Sequence, residues 1–302
     1  MVTIPTSLVA PALRLMGANR VFVTAEGAHR RVRERELRPQ PYGPPSRLHP
    51  DVRVDVAHDS GWPVYTITPR LGTPTGCVIY AHGGGWVNEI AVQHWHLAAQ
   101  LSAEANTTVV LPIYPLVPFG TAAAVADGVI DLVRSALDAH GRVCLAGDSA
   151  GGQIALSTAL ALRDRHGITL PRTVLISPAL DLSWSNPRIP LVQPSDPWLA
   201  VPGGRVLAEL WRGDSDILDP VVSPLAGDLA GLGPITLYSG TRDVLNPDAH
   251  LLTDKAAAAG VDVEFHEGAG QVHVYPLLPT REGRLARTEI VRSIREALRT
   301  TA

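Results

Sequence analysis

The sequence predicts an α/β fold: a mostly parallel central sheet with an antiparallel amino-terminal hairpin, flanking helices and a helical cap. Three observations carry this reading. Short, continuous runs rich in Val, Ile and Leu recur from residue 77 onward; alanine-rich stretches of helical length separate them; and two segments of period-two alternation precede them. Parallel strands buried on both faces read as continuous apolar runs, and strand–helix alternation implies right-handed βαβ units.

Residues 1–50 hold one or two amphipathic helical patterns and end in the connector RPQPYGPPSRLHP. Within them, HRRVRERELR (29–38) alternates charge at helical spacing, as in Arg30–Glu34, which suits a solvated helix face. DVRVDVA (51–57) and PVYTITP (63–69) alternate around the turn HDSG, as a hairpin with one solvated face does. CVIYAH, TTVVLPI (107–113), RVCLAG (142–147), RTVLIS (172–177), PITLYS (234–239) and VDVEFHE (261–267) are the expected inner strands. Helices are expected near 92–105, 121–140, 150–166 and 247–259, with 281–301 closing the chain. Forty residues, 181–220, interrupt the rhythm with many prolines and three tryptophans. A loop that long inside a compact domain has a function, such as a lid. The expected organisation is therefore an amino-terminal cap region (1–50) and a single core domain (51–302) with a cap insertion at about 183–218.

Composition narrows the function. The 302 residues carry a net charge of −3, so there is no basic field for nucleic acid or an anionic membrane. No apolar run reaches the length of a membrane span, and the amino terminus lacks the basic start of a signal peptide. Cys77 and Cys144 each sit inside an apolar run, as buried free thiols in a reducing compartment would. The expected location is the cytoplasm.

The stretch VCLAGDSAGGQIAL (143–156) holds Gly147-Asp148-Ser149-Ala150-Gly151, a G-x-S-x-G pattern directly after a strand and before a helix. Glycines flanking the serine permit a sharp turn that leaves its hydroxyl exposed at the helix amino end. Such a hydroxyl needs a base, and the base needs an orienting carboxylate. GTRDVLNPDA places Asp243 just past one strand, and GAGQVHVYP places His273 just past the next. Other candidates fit less well. His266 falls within a strand and His250 on a helix surface. Asp248 lies in a helix first turn where a carboxylate serves the dipole, and Asp148 cannot reach around the serine.

VIYAHGGGWVNE (78–89) ends an apolar run with three glycines. Attack by a serine on an acyl carbonyl creates an oxyanion, which successive peptide N–H groups can stabilise if no side chain blocks the approach. The N–H groups of Gly83 and Gly84 are expected to converge with that of Ala150. His82 is expected to anchor this loop by hydrogen bonds.

HGGGW (82–86), GDSAGG (147–152), SPALDLS (177–183), DPVVSPL (219–225), GTRDVL (240–245) and the late His273 together resemble the hormone-sensitive-lipase-like branch of the α/β-hydrolases. The resemblance covers about residues 50–280. It implies an α/β-hydrolase fold, a cap built from the amino terminus and the mid-chain insertion, no cofactor, and hydrolysis of carboxylic esters with short to medium acyl chains. Departures occur at Trp86-Val87-Asn88, Tyr114-Pro115-Leu116-Val117-Pro118, Asn246-Pro247-Asp248 and Val274-Tyr275. They bear on substrate preference and cap packing.

Trp86, Tyr114, Trp198, Trp211 and Tyr275 are candidate linings of the substrate pocket, with core packing as the alternative for each. His94 and His96, two apart on a helix, face different directions and lack a matching third ligand, so no metal site is expected. The expected partner is a small-molecule ester, and a homodimer is compatible with the chain. An amidase or peptidase on the same residues, and a catalytically inactive small-molecule receptor, are the rival readings.

Overall fold

The computed structural model describes residues 3–58 and 61–299. Among the described residues eight strands form one sheet in the order β1-β2-β4-β3-β5-β6-β7-β8. β1 (Val52–Ala57) pairs antiparallel with β2 (Val64–Pro69), and β2 pairs antiparallel with β4 (Thr108–Pro112). From β4 onward every pairing is parallel: β3 (Cys77–Ala81), β5 (Val143–Asp148), β6 (Thr173–Ile176), β7 (Ile235–Gly240) and β8 (Val263–Gly268). This is the expected α/β-hydrolase sheet, antiparallel hairpin included. Asp59 and Ser60 of the expected HDSG turn lie outside the described residues, as do positions 300 and 301 of the expected closing helix.

The continuous apolar runs are explained by cores on both faces. Along β3, Cys77, Ile79 and Ala81 point into one core while Val78 and Tyr80 point into the other, as the period of two requires. Helices α4 (Ala122–His140), α5 (Ala150–His166) and α8 (Asn246–Ala258) cover the first face through residues such as Val129, Ile154 and Leu252. Helices α3 (Val92–Ala105) and α9 (Arg281–Arg299) cover the second with Trp95, Leu101, Ile290 and Ile294. Burial pushes the Cys77 and Cys144 thiols up to about 12, so neither is a nucleophile at neutral pH. Among the described residues no helix is long and apolar enough to cross a membrane.

The amino-terminal segment and the insertion pack over this sheet. α1 (Thr6–Leu15) buries Val9 and Ala10 against Val272, next to His273, and the Thr6 hydroxyl donates to Glu282 at 2.6 Å. α2 (Ala25–Leu37) starts where the Thr24 side chain accepts the Gly27 N–H, an N-cap worth about 1 kcal/mol. The insertion forms a short helix, α6 (Ile189–Val192), and a longer one, α7 (Val201–Arg212). α2 packs against α7, and the segment just before α2 crosses α7 at close backbone range. Gly203 N–H donates to Phe22 O at 2.8 Å, and a Cβ on Gly203 would lie 2.4 Å from the Val21 carbonyl oxygen. The charged face of α2 is not wholly solvated: Arg31 pairs with Glu34 at 3.2 Å and also reaches Asn88 Oδ1 at 2.7 Å, beside the glycine loop.

Candidate active site

Ser149 sits at the turn between β5 and α5, with φ 52° and ψ −118°. A non-glycine residue held there carries about 1–3 kcal/mol of strain, which the surroundings must over-determine. They do so with three backbone bonds. Ser149 N–H donates to Ile176 O, and Ser149 O accepts from Gln153 N–H and Ala179 N–H. The glycines beside it are sterically required: a Cβ on Gly151 would lie 2.0 Å from Ala81 O, and one on Gly147 2.2 Å from Gly151 O.

His273 and Asp243 arrive from loops after β8 and β7, at the carboxyl ends of parallel strands, where ligands bind in such sheets. His273 Nε2 lies 2.9 Å from Ser149 Oγ, and His273 Nδ1 lies 2.8 Å from Asp243 Oδ2. The carboxylate can only accept, so Nδ1 carries the proton and Nε2 is left to accept from the serine hydroxyl. Asp243 is fully buried, and its other oxygen accepts Leu245 N–H at 3.0 Å. Burial alone would depress the imidazole, but the Asp243 charge and hydrogen bond, joined by the charges of Asp196 and Asp148, outweigh it and raise its pKa. Backbone geometry supports the histidine too: Val274, at φ 48°, donates its N–H to Ser177 Oγ at 3.0 Å.

The glycine loop departs from expectation at Gly83. Its N–H donates to Asp148 Oδ1 at 2.9 Å, so it is not free to meet an oxyanion. Gly83 is a glycine because a Cβ there would fall 2.1 Å from Asp148 Oδ2. Among the described residues, the N–H groups of Gly84, Gly85 and Ala150 have no hydrogen-bond partner. Gly84 has φ 133°, and a Cβ would lie 2.4 Å from Asn88 O. Gly85, the glycine that sequence reasoning passed over, has φ 62°.

Asp148 does not brace His273, as expected, but it does hold another histidine. Its carboxylate accepts from Tyr80 Oη at 2.7 Å, from Gly83 N–H, and from His94 Nε2 at 3.2 Å. Ala91 N–H donates to His94 Nδ1 at 2.9 Å, so the His94 proton resides on Nε2 and points at Asp148. Burial opposes the Asp148 charge, yet His94, Tyr80 and Gly83 outweigh it and hold the carboxyl below its usual range. His82 is buried, donates Nδ1–H to Gly83 O at 2.7 Å, and stacks on Tyr114. Burial, with His94 nearby, pushes its pKa down to about 4, so it stays neutral and serves as an anchor.

The five expected pocket aromatics separate. Trp86 and Trp211 are buried, and both indole N–H groups donate to Gln153 Oε1, at 3.2 and 2.9 Å. A buried indole N–H must find an acceptor, and Gln153 draws both rings behind the site. Gln153 Nε2 donates in turn to Ser157 Oγ and Val221 O. Tyr114 is buried with its hydroxyl on His82 O, and Tyr275 is buried against Tyr238. Trp198 alone is half-buried, and its ring stands edge-on to His273 with centroids 5.8 Å apart. His266 stacks on Tyr238, and His250 bonds Glu267 at 2.7 Å. Asp248, expected to serve a helix dipole, is instead buried and accepts from Asn186 Nδ2 at 2.7 Å. Among the described residues no group of three or more His, Cys, Asp or Glu could hold a metal ion.

This sheet, with a strained serine at a strand-to-helix turn, has the architecture of the α/β-hydrolase fold. Residues 78–277 match a family model described as alpha/beta hydrolase fold, and the chain belongs to that family. An acetyl-hydrolase of Streptomyces hygroscopicus is 34% identical over 217 residues, 69% of this chain and 72% of that protein. A triacylglycerol lipase of Mycobacterium tuberculosis is 33% identical over 72% of this chain, which spans only 46% of the lipase. Among solved structures, an esterase from the bacterial hormone-sensitive lipase family superposes with a TM-score of 0.81 at 26% identity, covering 99% of this chain and all of that one.

Proposed function

We propose that this chain hydrolyses carboxylic esters of short to medium acyl length through an acyl-serine intermediate. The observation that carries the reading is His273 standing between Ser149 Oγ and Asp243 within hydrogen-bond distance on both sides. The names of the relatives and of the superposed esterase agree with it.

Ser149 Oγ attacks the acyl carbonyl as His273 Nε2 takes its proton. Asp243 holds the tautomer and stabilises the imidazolium that forms. The negative oxygen meets the N–H groups of Gly84, Gly85 and Ala150; Gly83, bound to Asp148, sets the loop behind them. His273 then passes its proton to the departing alkoxide, the alcohol leaves, and the acyl group remains on Ser149. A water, deprotonated by the same imidazole, attacks the acyl carbon; the imidazolium returns that proton to Ser149 Oγ as its bond to the acyl carbon breaks, and the acid leaves. The amino-terminal helices and the insertion act as the cap over this centre, with α2 packed on α7 and Trp198 beside His273.

The buried thiols of Cys77 and Cys144 support residence in a reducing compartment such as the cytoplasm. One chain supplies serine, histidine and aspartate, so the chemistry needs no second copy. Light scattering decides whether the expected homodimer forms. Turnover of p-nitrophenyl butyrate by the wild-type chain and by Ser149→Ala tests the reading. Hydrolysis should disappear with the hydroxyl; a variant that keeps full activity overturns the assignment.

A further inference from the structure

We propose that Asp196, in the insertion, is a positioning residue that holds Trp198 as a wall beside His273 and locks that wall to the turn bearing Asp243. The inference rests on the serine-hydrolase reading above and adds to it a specificity-determining contact. Three backbone donors converge on one carboxylate. Asp196 Oδ1 accepts from Trp198 N–H at 2.7 Å and from Leu199 N–H at 2.9 Å, while Oδ2 accepts from Val244 N–H at 2.8 Å. The first two close a turn that sets where Trp198 leaves the chain. The third crosses 48 residues of sequence to the peptide that follows Asp243. A neighbouring bond repeats the tie, since the Arg242 guanidinium donates to Ser195 O at 3.2 Å.

Trp198 gains its place from this clamp. Its ring meets the His273 imidazole edge-on, at an interplanar angle of 88°, so the indole forms a wall next to the base. Of the five candidate aromatics, the other four are committed to packing, which leaves Trp198 as the one whose ring borders His273. Asp196 also brings a second carboxylate close to the imidazole. The charged and titratable groups around it are Asp243 and His273, with Arg242 on the adjoining carbonyl. Burial, and then the Asp243 charge, push the Asp196 carboxyl up to about 6, so it is mostly ionised at neutral pH. Ionised, it accepts from all three N–H groups and adds to the stabilisation of the His273 imidazolium.

An amide in its place separates these duties. In Asp196→Asn the side-chain oxygen can keep Trp198 and Leu199, but its NH₂ faces the Val244 N–H, donor against donor, and the charge is gone. The experiment compares pH profiles of kcat and kcat/KM on p-nitrophenyl esters of increasing acyl length. The chains are wild type, Asp196→Asn, Trp198→Ala and Ser149→Ala, with circular dichroism as the folding check. In Asp196→Asn, kcat should fall between about 10- and 100-fold from misplaced reacting groups. The acidic limb of kcat/KM should move to lower pH, because the imidazolium loses a neighbouring negative charge. A purely structural role would lower activity without moving that limb. Trp198→Ala should leave the limb in place and change the ratio of kcat/KM between short and long esters. If Asp196→Asn does not fold, Asp196→Ser, whose hydroxyl can still accept a turn N–H, is read by the same criteria. An acidic limb that stays fixed or moves to higher pH overturns the proposal, as does an unchanged acyl-length ratio in Trp198→Ala. Turnover surviving in Ser149→Ala is the separate result that defeats the underlying reading.

Discussion

Asp148 Oδ1 lies 2.9 Å from the amide nitrogen of Gly83, so the residue before the nucleophile holds the glycine loop by its backbone. The pairing gives Gly83 a different task from its two successors. It brings a buried carboxylate against the loop, while the N–H groups of Gly84 and Gly85 stay free of backbone partners.

Replacing Asp148 with Ala should therefore damage catalysis without touching the reacting atoms. Tyr80 Oη, Gly83 N–H and His94 Nε2 would all lose their acceptor in a buried site. Each buried orphan costs about 1–3 kcal/mol, and a misplaced oxyanion donor costs 10²–10³ in kcat. The expected outcome is a fall in kcat of at least about tenfold, with a lower melting temperature. Steady-state kinetics and a thermal melt check both.

Gly84→Ala should be close to inactive. Its φ of 133° is open to glycine, and the added Cβ would meet Asn88 O at 2.4 Å. Moving that peptide withdraws one oxyanion donor, so kcat should drop about 10²–10³-fold with little change in KM. Gly141→Ala, with φ 71° and open space around its Cβ, is the control that carries backbone strain far from the site and should keep kcat.

Gln153→Leu should unfold more readily than it loses chemistry. The two indole N–H groups of Trp86 and Trp211 would lose their shared acceptor, at about 1–3 kcal/mol each. At roughly 2–4 °C per kcal/mol for a domain approaching this size, the melting temperature should fall by about 4 °C or more. A thermal melt at one pH decides it.

The buried carboxyl of Asp248 gives stability a pH dependence. Burial, offset in part by the bond from Asn186, pushes it up to about 7. A carboxyl raised above its unfolded value near 3.9 binds more protons folded than unfolded, so its contribution declines as pH rises through that interval. The penalty is complete above about pH 7. Asp248→Asn keeps the oxygen that accepts from Asn186 and removes the titration. Its melting temperature relative to wild type should therefore climb from pH 5 to 7 and then level off. A constant difference across that range contradicts the assignment.

Much of this was legible in the chain because it depends on short-range pattern. Continuous apolar runs such as CVIYA declare strands covered on both faces, and Ser149, Asp243 and His273 each follow one of them closely. What stayed hidden depends on side chains meeting across long separations. Gly83 to Asp148 spans 65 residues, Trp86 to Gln153 spans 67, and Asp196 to Val244 spans 48. No periodicity encodes which of three glycine amides a distant carboxylate will occupy. The aromatics stayed open between pocket lining and core packing for a related reason: an indole that lines a pocket and one that donates to a buried amide look alike in sequence. His94 gave no local sign of facing Asp148, since only the fold brings α3 beneath the end of β5.

The most direct measurement is peptide mapping after treatment with a fluorophosphonate, which captures a serine oxygen activated by a neighbouring imidazole. The account predicts one adduct per chain, on the peptide containing Ser149, formed in step with loss of ester turnover and greatly slowed in His273→Ala. Labelling elsewhere with Ser149 unmodified, or full turnover from chains carrying the adduct on Ser149, would contradict it.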